Sequence, residues 1–232
     1  MSIFFKYHIN FLLEHGTYYI GERQEKGARD ITIIYSGGDD ICVVGSWDEV
    51  IGFAIDLQES FERFAQGTLT ISAGIGIYPK KYPISSMARE TNELESYAKE
   101  YSNKNAIAFF DKDLGFSWKE FKDNILEEKL SFLKVFFKEV PEKGKAFLYR
   151  MLELMRNIEK DETAEKETDK INLARLAYLL GRLEESVKNT SQDRNISNFA
   201  KQIYQWINNP IEKKYLKTAI YIYVYLIREK EG

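Results

Sequence analysis

A chain of 232 residues fits one large domain or two small ones, and its 44% hydrophobic and 14% aromatic content is enough to bury a real core. No run approaches the roughly eighteen consecutive apolar residues of a bilayer span, and the single cysteine permits neither an internal disulfide nor a zinc cluster, which argues against membrane and disulfide-stapled secreted proteins and for a cytoplasmic one. The net charge of -3 is unevenly spread: residues 1 to 115 hold 11 Lys+Arg against 17 Asp+Glu and the rest 22 against 19, a division suggesting two parts with different partners, neither basic enough for a stand-alone nucleic-acid binder.

Ile3, Phe4, Tyr7, Phe11 and Leu12 recur at helical spacing and predict an amphipathic helix from almost the first residue. His8 and His15 both fall on it, where surface or packing roles are expected. Residues 16 to 30 are glycine-broken and charged, and read as a loop. "ITIIYS" and "ICVVG" then read as strands joined by Gly37 to Asp40, a hairpin, with Cys42 expected in the core. Ser46 and Glu49 have capping-box spacing ahead of a helix whose stripe is Trp47, Val50, Ile51, Ala54, Leu57, Phe61 and Phe64. "TLTISAGIGIYP" alternates Ile71, Ala73, Ile75 and Ile77 with Thr70, Ser72, Gly74 and Gly76. The first set is expected against helices, leaving the small face open to another group. A helix over Ser85 to Tyr101 and a strand over Asn105 to Phe110 complete the series.

That order predicts an α+β domain over residues 1 to 115, of ferredoxin-like βαββαβ type with its first strand missing. From 116 to 232 everything reads helical: Trp118 to Leu126, Lys129 to Lys138, Lys143 to Ile158, Asn172 to Lys188, Asn195 to Asn208 and Ile211 to Arg228, an all-α bundle. Two stripes define its faces, Leu173, Leu176, Ala177, Leu180 and Val187, and Ile211, Tyr215, Ala219, Ile222 and Leu226. The charged run "EKDETAEKETDK" is expected to be a mobile loop. Mixed charge on the polar faces argues against a membrane-surface role.

The chemistry-bearing stretch is "YSGGDD". Phosphoryl and nucleotidyl transfer need cations against the phosphates, and adjacent carboxylates are the usual oxygen ligands of magnesium, so Asp39 and Asp40 are candidate catalytic and metal-holding residues. Gly37 and Gly38 suit a tight turn and, lacking Cβ atoms, let a nucleotide lie against the backbone. Good turn chemistry alone also explains Gly-Gly-Asp. Context weighs for a site: apolar strands flank the turn, and a capped helix and "LTISAGIG" follow it.

In sequence, "YSGGDD", "VVGSWDEVIGFAIDLQESFERF", "LTISAGIGIYPKKYPI" and "KNAIAFF" resemble the second palm domain of the large, CRISPR polymerase subunit of type III effector complexes, in the Csm (III-A) form. The helical half resembles that family's C-terminal, small-subunit-like domain. The resemblance implies conversion of ATP into cyclic oligoadenylate messengers upon binding of target RNA, in antiviral defence. It implies Mg2+ or Mn2+ on Asp39 and Asp40, ATP along Ser36, Gly37 and Gly38, and a phosphate contact from Lys104. Implied partners are the other Csm subunits, including the small subunit, with guide RNA and target RNA nearby. The family's first palm strand with its metal-binding aspartate, its first palm domain, its HD nuclease domain and its zinc-bearing domain have no counterpart here. The chain therefore resembles a C-terminal fragment, expected to be inactive or weak alone.

Two other readings compete. A diguanylate cyclase shares the Gly-Gly-Asp turn, but continues with Glu-Phe where this chain has Asp40-Ile41, and the inhibitory Arg-x-x-Asp fails because Thr32 stands three residues after Arg29. A scaffold reading makes the helical half an RNA-proximal docking module, with Lys213, Lys214, Lys217, Arg228 and Lys230 as candidate phosphate contacts, although such runs are usually solvated helix faces.

Overall fold

The apolar spacing at the start forms a helix in two geometries, a π-helical turn at Phe4–His8 followed by α1 (Ile9–His15). The structure is a computed structural model that describes residues 4–21, 28–111, 114–140, 144–159, 167–185 and 193–229. It divides into two units, Met1–Lys122 and Asp123–Gly232, with the division inside a π-helix, Glu120–Leu130. No helix among the described residues is long and apolar enough to cross a membrane.

In the first unit, β1 (Ile31–Gly37) and β2 (Asp40–Gly45) pair antiparallel, with a bulge where the register shifts between Ile33 and Tyr35. Then come α2 (Trp47–Ala65), β3 (Ala73–Ile75), α3 (Ile84–Glu100), β4 (Ala106–Phe109) and β5 (Gly115–Ser117). The strands make two sheets, β1-β2 and β3-β4-β5, so no continuous βαββαβ sheet forms among the described residues. β3 runs parallel to β4, as the α3 crossover requires, and β5 returns antiparallel. β5 escaped the sequence reading because "GFS" is short and lacks alternation.

The two sheets have separate cores. Phe4, Phe5, Ile9, Leu12, Phe53, Leu57 and Phe61 bury together, with Ile31, Ile33, Ile41, Val43 and Ile71 packed against them. Leu94, Ala98, Ala106 and Ala108 form the second cluster, beside Tyr97 and Tyr101. The inward residues of the hairpin are thus every second one, as the pleat demands, and the other face leaves Ile34 and Val44 exposed. Cys42 is half-buried rather than in the core.

Several local expectations are corrected. The Ser46 and Glu49 capping box does not form: the Ser46 hydroxyl donates to Asp48 at 2.8 Å, and Glu49 is drawn instead to Arg29 at 3.2 Å. Phe64 is exposed, whereas Phe53 and Ile55 are buried, because α2 is covered on more than one side. The long strand expected around Ile71 to Ile77 is paired only over Ala73–Ile75, having β4 on one edge and no strand on the other among the described residues. Its small face is not open. A Cβ on Gly74 would stand 2.4 Å from the Glu95 nitrogen and 2.5 Å from the Thr91 oxygen, so α3 itself lies on the glycine. Gly74→Ala is therefore expected to force backbone apart and destabilise the unit by roughly 1–3 kcal/mol, read from its urea midpoint; an unchanged midpoint would contradict this packing.

The second unit is helical throughout its described residues: the remainder of the π-helix, then α4 (Ser131–Glu139), α5 (Gly144–Glu159), α6 (Glu167–Glu185), α7 (Asp193–Ile207) and α8 (Pro210–Glu229). The break expected between Leu126 and Lys129 is absent, since the π-helix runs straight into α4. α5 packs on α6 and α8, and α7 on both α6 and α8. On α7, Ile196, Phe199, Ile203 and Trp206 are buried at helical spacing, and Phe199 stacks on Phe136 and Phe132. Ile211 is exposed and Ala177 is too, so each expected stripe is shorter than its pattern; Leu173 and Val187 lie outside the described side chains. Most of the charged run from Glu159 to Lys170 also lies outside them, and its last residues already belong to α6. Lys129 is fully buried, its ammonium 2.6 Å from Glu212 and over the rings of Trp206 and Tyr215.

Candidate functional site

The hairpin turn is the sharpest feature of the first unit. Gly37 and Asp40 are the last paired residues, leaving Gly38 and Asp39 as the two-residue connection. Gly38 takes φ +66°, a conformation that glycine reaches without steric cost, in the first central position of the turn. Asp39 and Asp40 follow with both carboxylates exposed, one on the turn and one in strand register. Ser36 pairs with Ile41, and its hydroxyl donates to the Phe5 carbonyl at 3.4 Å, tying the tip to the opening helical turn. Ser36, Gly37, Gly38, Asp39 and Asp40 are thus contiguous on one outward-facing tip.

Lys104 lies in a short turn, Ser102–Lys104, immediately before β4. Ser102, Asn103 and Lys104 all have positive φ, +47°, +55° and +63°. Three consecutive left-handed residues without a glycine cost on the order of 1 kcal/mol each or more, and strain of this kind concentrates where a ligand is held.

A residue not singled out from sequence joins them. Lys99, in the last turn of α3, donates to Glu95 at 2.6 Å, and that bond, with the Asp40 and Asp39 carboxylates acting from farther away, holds its ammonium above the ordinary lysine range. It stays charged throughout the physiological range. The signal was present in its position, one turn before Lys104 at the end of a helix whose following strand the sequence had located. His8 and His15 are not part of this arrangement: with Phe11 they form a stack along the outside of the first helical segment.

As a cation site the tip is partial. No three His, Cys, Asp or Glu side chains gather for a metal among the described residues. Two adjacent carboxylates are hard oxygen donors, and they fit Mg2+, which keeps water and shares phosphate oxygens rather than demanding a full protein cage.

Behind the hairpin, Arg29 locks the chain entering β1. Its side chain is fully buried and bridges Asp56 and Glu49 of α2, and also donates to the Tyr18 carbonyl at 2.9 Å. Asp56 in turn accepts from the Thr17 and Tyr18 amides at 3.0 and 3.2 Å. Loop, hairpin and helix are joined by one ion network.

Comparison with known proteins identifies the family of the chain. Residues 1–108 match the family model described as Cas10/Cmr2, second palm domain, and residues 134–229 match that of the CRISPR RNA silencing complex Cmr2 subunit, second helical domain. The chain belongs to the Cas10 family. A Mycobacterium tuberculosis protein named CRISPR system single-strand-specific deoxyribonuclease Cas10/Csm1 (subtype III-A) is 42% identical over all of this chain and 27% of its own length. The protein of the same name from Streptococcus thermophilus is 39% identical over 99% of the chain and 27% of its length. This Cas10 chain therefore spans about a quarter of the curated relatives it matches. An apo Csm1-Csm4 cassette superposes with a TM-score of 0.66 at 22% identity, covering 98% of the chain and 32% of the solved one, and shows the same fold.

Proposed function

We propose that this chain supplies one side of a nucleotidyltransferase site that, in the intact type III-A large subunit, joins ATP into cyclic oligoadenylate when target RNA is bound. The carrying observation is the pair Asp39 and Asp40, both exposed and adjacent on a glycine turn. Structural neighbours at 22% and 19% identity were solved with one ATP and with cA3, which supports a nucleotide reading of the shared fold.

Asp39 and Asp40 would hold Mg2+ or Mn2+, which when bound neutralises phosphate charge and eases ionisation of the attacking hydroxyl. Gly37 and Gly38 leave room for the nucleotide beside the backbone, and Ser36 fixes the tip against Phe5. Lys99 and Lys104 face developing charge on the phosphates as fixed cations. A strand from elsewhere in the subunit would pair with the edges of β2 and β3 that carry no strand among the described residues, and would make the two sheets one ferredoxin-like palm. The palm would then occupy roughly residues 1–115 and the helical small-subunit-like domain 116–232. Donor and acceptor ATP must be brought in line, so this chain alone should be inactive or nearly so. Robust oligoadenylate formation by the 232-residue chain with ATP and magnesium would overturn that expectation.

Lys99 provides a test at the level of binding. Lys99→Met should weaken ATP affinity about tenfold, the effect of removing one charge-assisted phosphate interaction, without lowering the thermal midpoint of the first unit. Titration calorimetry in the intact subunit reads the first quantity; unchanged affinity removes Lys99 from the site.

The scaffold reading places other Csm subunits, guide RNA and target RNA against the helical unit. Arg228, which donates to the Tyr149 hydroxyl at 2.9 Å and lies beside the Tyr149 and Tyr225 rings, is its best-placed exposed cation, while Lys230 lies outside the described residues. Both roles fit one polypeptide, and the loss of oligoadenylate synthesis on replacing the aspartates distinguishes the enzyme from a pure scaffold.

A further inference from the structure

The first helical segment and α2 run in opposite senses, since Phe4 meets Phe61 and Phe64 while Thr17 meets Asp56. Between them lies an open groove of about 760 Å³, a size typical of small-molecule sites. Helical spacing gives it two unlike walls. Phe4, His8, Phe11 and His15 fall on one face of the first segment, and their rings follow one another at 5.0, 5.6 and 4.6 Å. Phe64 extends this ladder, 5.0 Å from Phe4. The rings at the mouth stay in water: Phe11 is 52% exposed, Phe64 53% and Tyr7 beside them 66%. Large apolar side chains left out together along a concave surface are the mark of a binding groove.

The wall supplied by α2 carries Asp56, Ser60 and Arg63 at the same periodicity. Asp56 brings no net charge to the groove, because Arg29 pairs with it and the Thr17 and Tyr18 amides fill its oxygens. Ser60 is only 7% exposed; its oxygen accepts from Arg63 at 3.2 Å, and its own proton meets no acceptor among the described residues. Arg63 is exposed, and among the described residues no carboxylate pairs with it. Glu14 does not line the groove and sits 3.9 Å from His15. A guanidinium and a hydroxyl proton thus converge as donors with no anion between them, opposite a wall of aromatic rings.

We propose that this groove binds a small molecule made of a flat aromatic ring and an anionic group, the ring lying on the ladder of Phe4, His8, Phe11 and His15 and the anion on Arg63 and Ser60. The anion can be a carboxylate or a phosphate, because the planar guanidinium fork accepts either. The site is separate from the nucleotide site on the hairpin: none of Ser36, Gly37, Gly38, Asp39, Asp40, Lys99 and Lys104 lines it.

The test is a chemical-shift titration of the full chain with biphenyl-4-carboxylate and with adenosine monophosphate, each beside its neutral counterpart, biphenyl-4-carboxamide or adenosine. At least one anionic probe should bind with a Kd below about 1 mM and about tenfold more tightly than its neutral counterpart. Arg63→Met should lower that affinity about tenfold and leave the neutral compound's unchanged, whereas Arg63→Lys, which keeps the charge, should recover part of it. Phe11→Leu keeps apolar bulk but not the ring, and should weaken the anionic and neutral compounds alike, by about threefold. Which anionic probe binds tells a carboxylate ligand from a phosphate one, and either supports the proposal; monophosphate binding that ignores Arg63 lies elsewhere and counts as none. No anionic probe bound below about 1 mM, a neutral compound bound as tightly as its acid, or affinity indifferent to Arg63→Met would each overturn it.

Discussion

Replacing Asp39 and Asp40 by asparagine in a full-length Cas10 of this subtype, with this segment in place, should reduce oligoadenylate synthesis by on the order of 10²–10³-fold or more. Asparagine preserves size and the turn's hydrogen-bonding capacity, so the hairpin, whose geometry rests on Gly38 and on the Gly37 to Asp40 pairing, should survive. The assembled complex should keep its subunits and its RNA. Conversion of labelled ATP on addition of target RNA is the measurement, with complex integrity read from gel filtration. Two further signatures separate loss of a cation site from distortion: the single variants should demand higher magnesium for half-maximal rate, and Asp40, held in strand register, should tolerate change less well than Asp39 on the turn. Full activity in the double variant would remove these carboxylates from the chemistry.

The largest effect on stability is expected at Arg29. Its guanidinium is fully buried between Asp56 and Glu49, and removing one partner of such a pair leaves an uncompensated charge in a place water does not reach. Arg29→Ala and Asp56→Ala should each destabilise the first unit by about 3–5 kcal/mol, measured as a lowered urea midpoint by circular dichroism. The paired replacement Arg29→Met with Asp56→Leu should cost less than the sum of the two single changes, because the two most deeply buried charges go together and the Glu49 carboxylate, 12% exposed, is the one that loses its Arg29 contact. The aspartate has a second task, receiving the Thr17 and Tyr18 amides, so the double variant should still fall short of the parent chain. If the double variant equals the sum of the singles, the network is not acting as one unit.

Much of this was legible in the sequence, for identifiable reasons. The hairpin was legible because β-branched runs on either side of Gly-Gly-Asp-Asp leave a chain few alternatives, and α3 because Leu94 and Ala98 fall on one helical face. What the sequence hid were effects decided at a distance. Glu49 has the spacing of a cap, but Arg29, twenty residues earlier, competes for it with a full charge. Gly74 signals close approach without saying by whom, and the visitor proved to be the next helix. Lys99 is one charge among many on a polar helix, and its pairing with Glu95 does not single it out in the sequence. The family resemblance could be read because it rests on the order of several segments, whereas Asp39 and Asp40 alone are shared by ordinary turns.

The strand edges left unpaired among the described residues bear on how the chain behaves in solution. β1, β2 and β3 each offer one row of backbone donors and acceptors to whatever comes past, and Ile34, Tyr35 and Val44 keep the hairpin's surface apolar beside them. Neither proline nor an inward-pointing lysine interrupts the hairpin strands, the usual devices that discourage edge-to-edge pairing. At high concentration two hairpins can zip together, and the same tip that carries the aspartates would then be drawn into a dimer or a larger aggregate. Colloidal behaviour and chemistry are coupled in this segment: the surface left ready for a neighbouring strand makes the chain's solubility depend on the company it keeps.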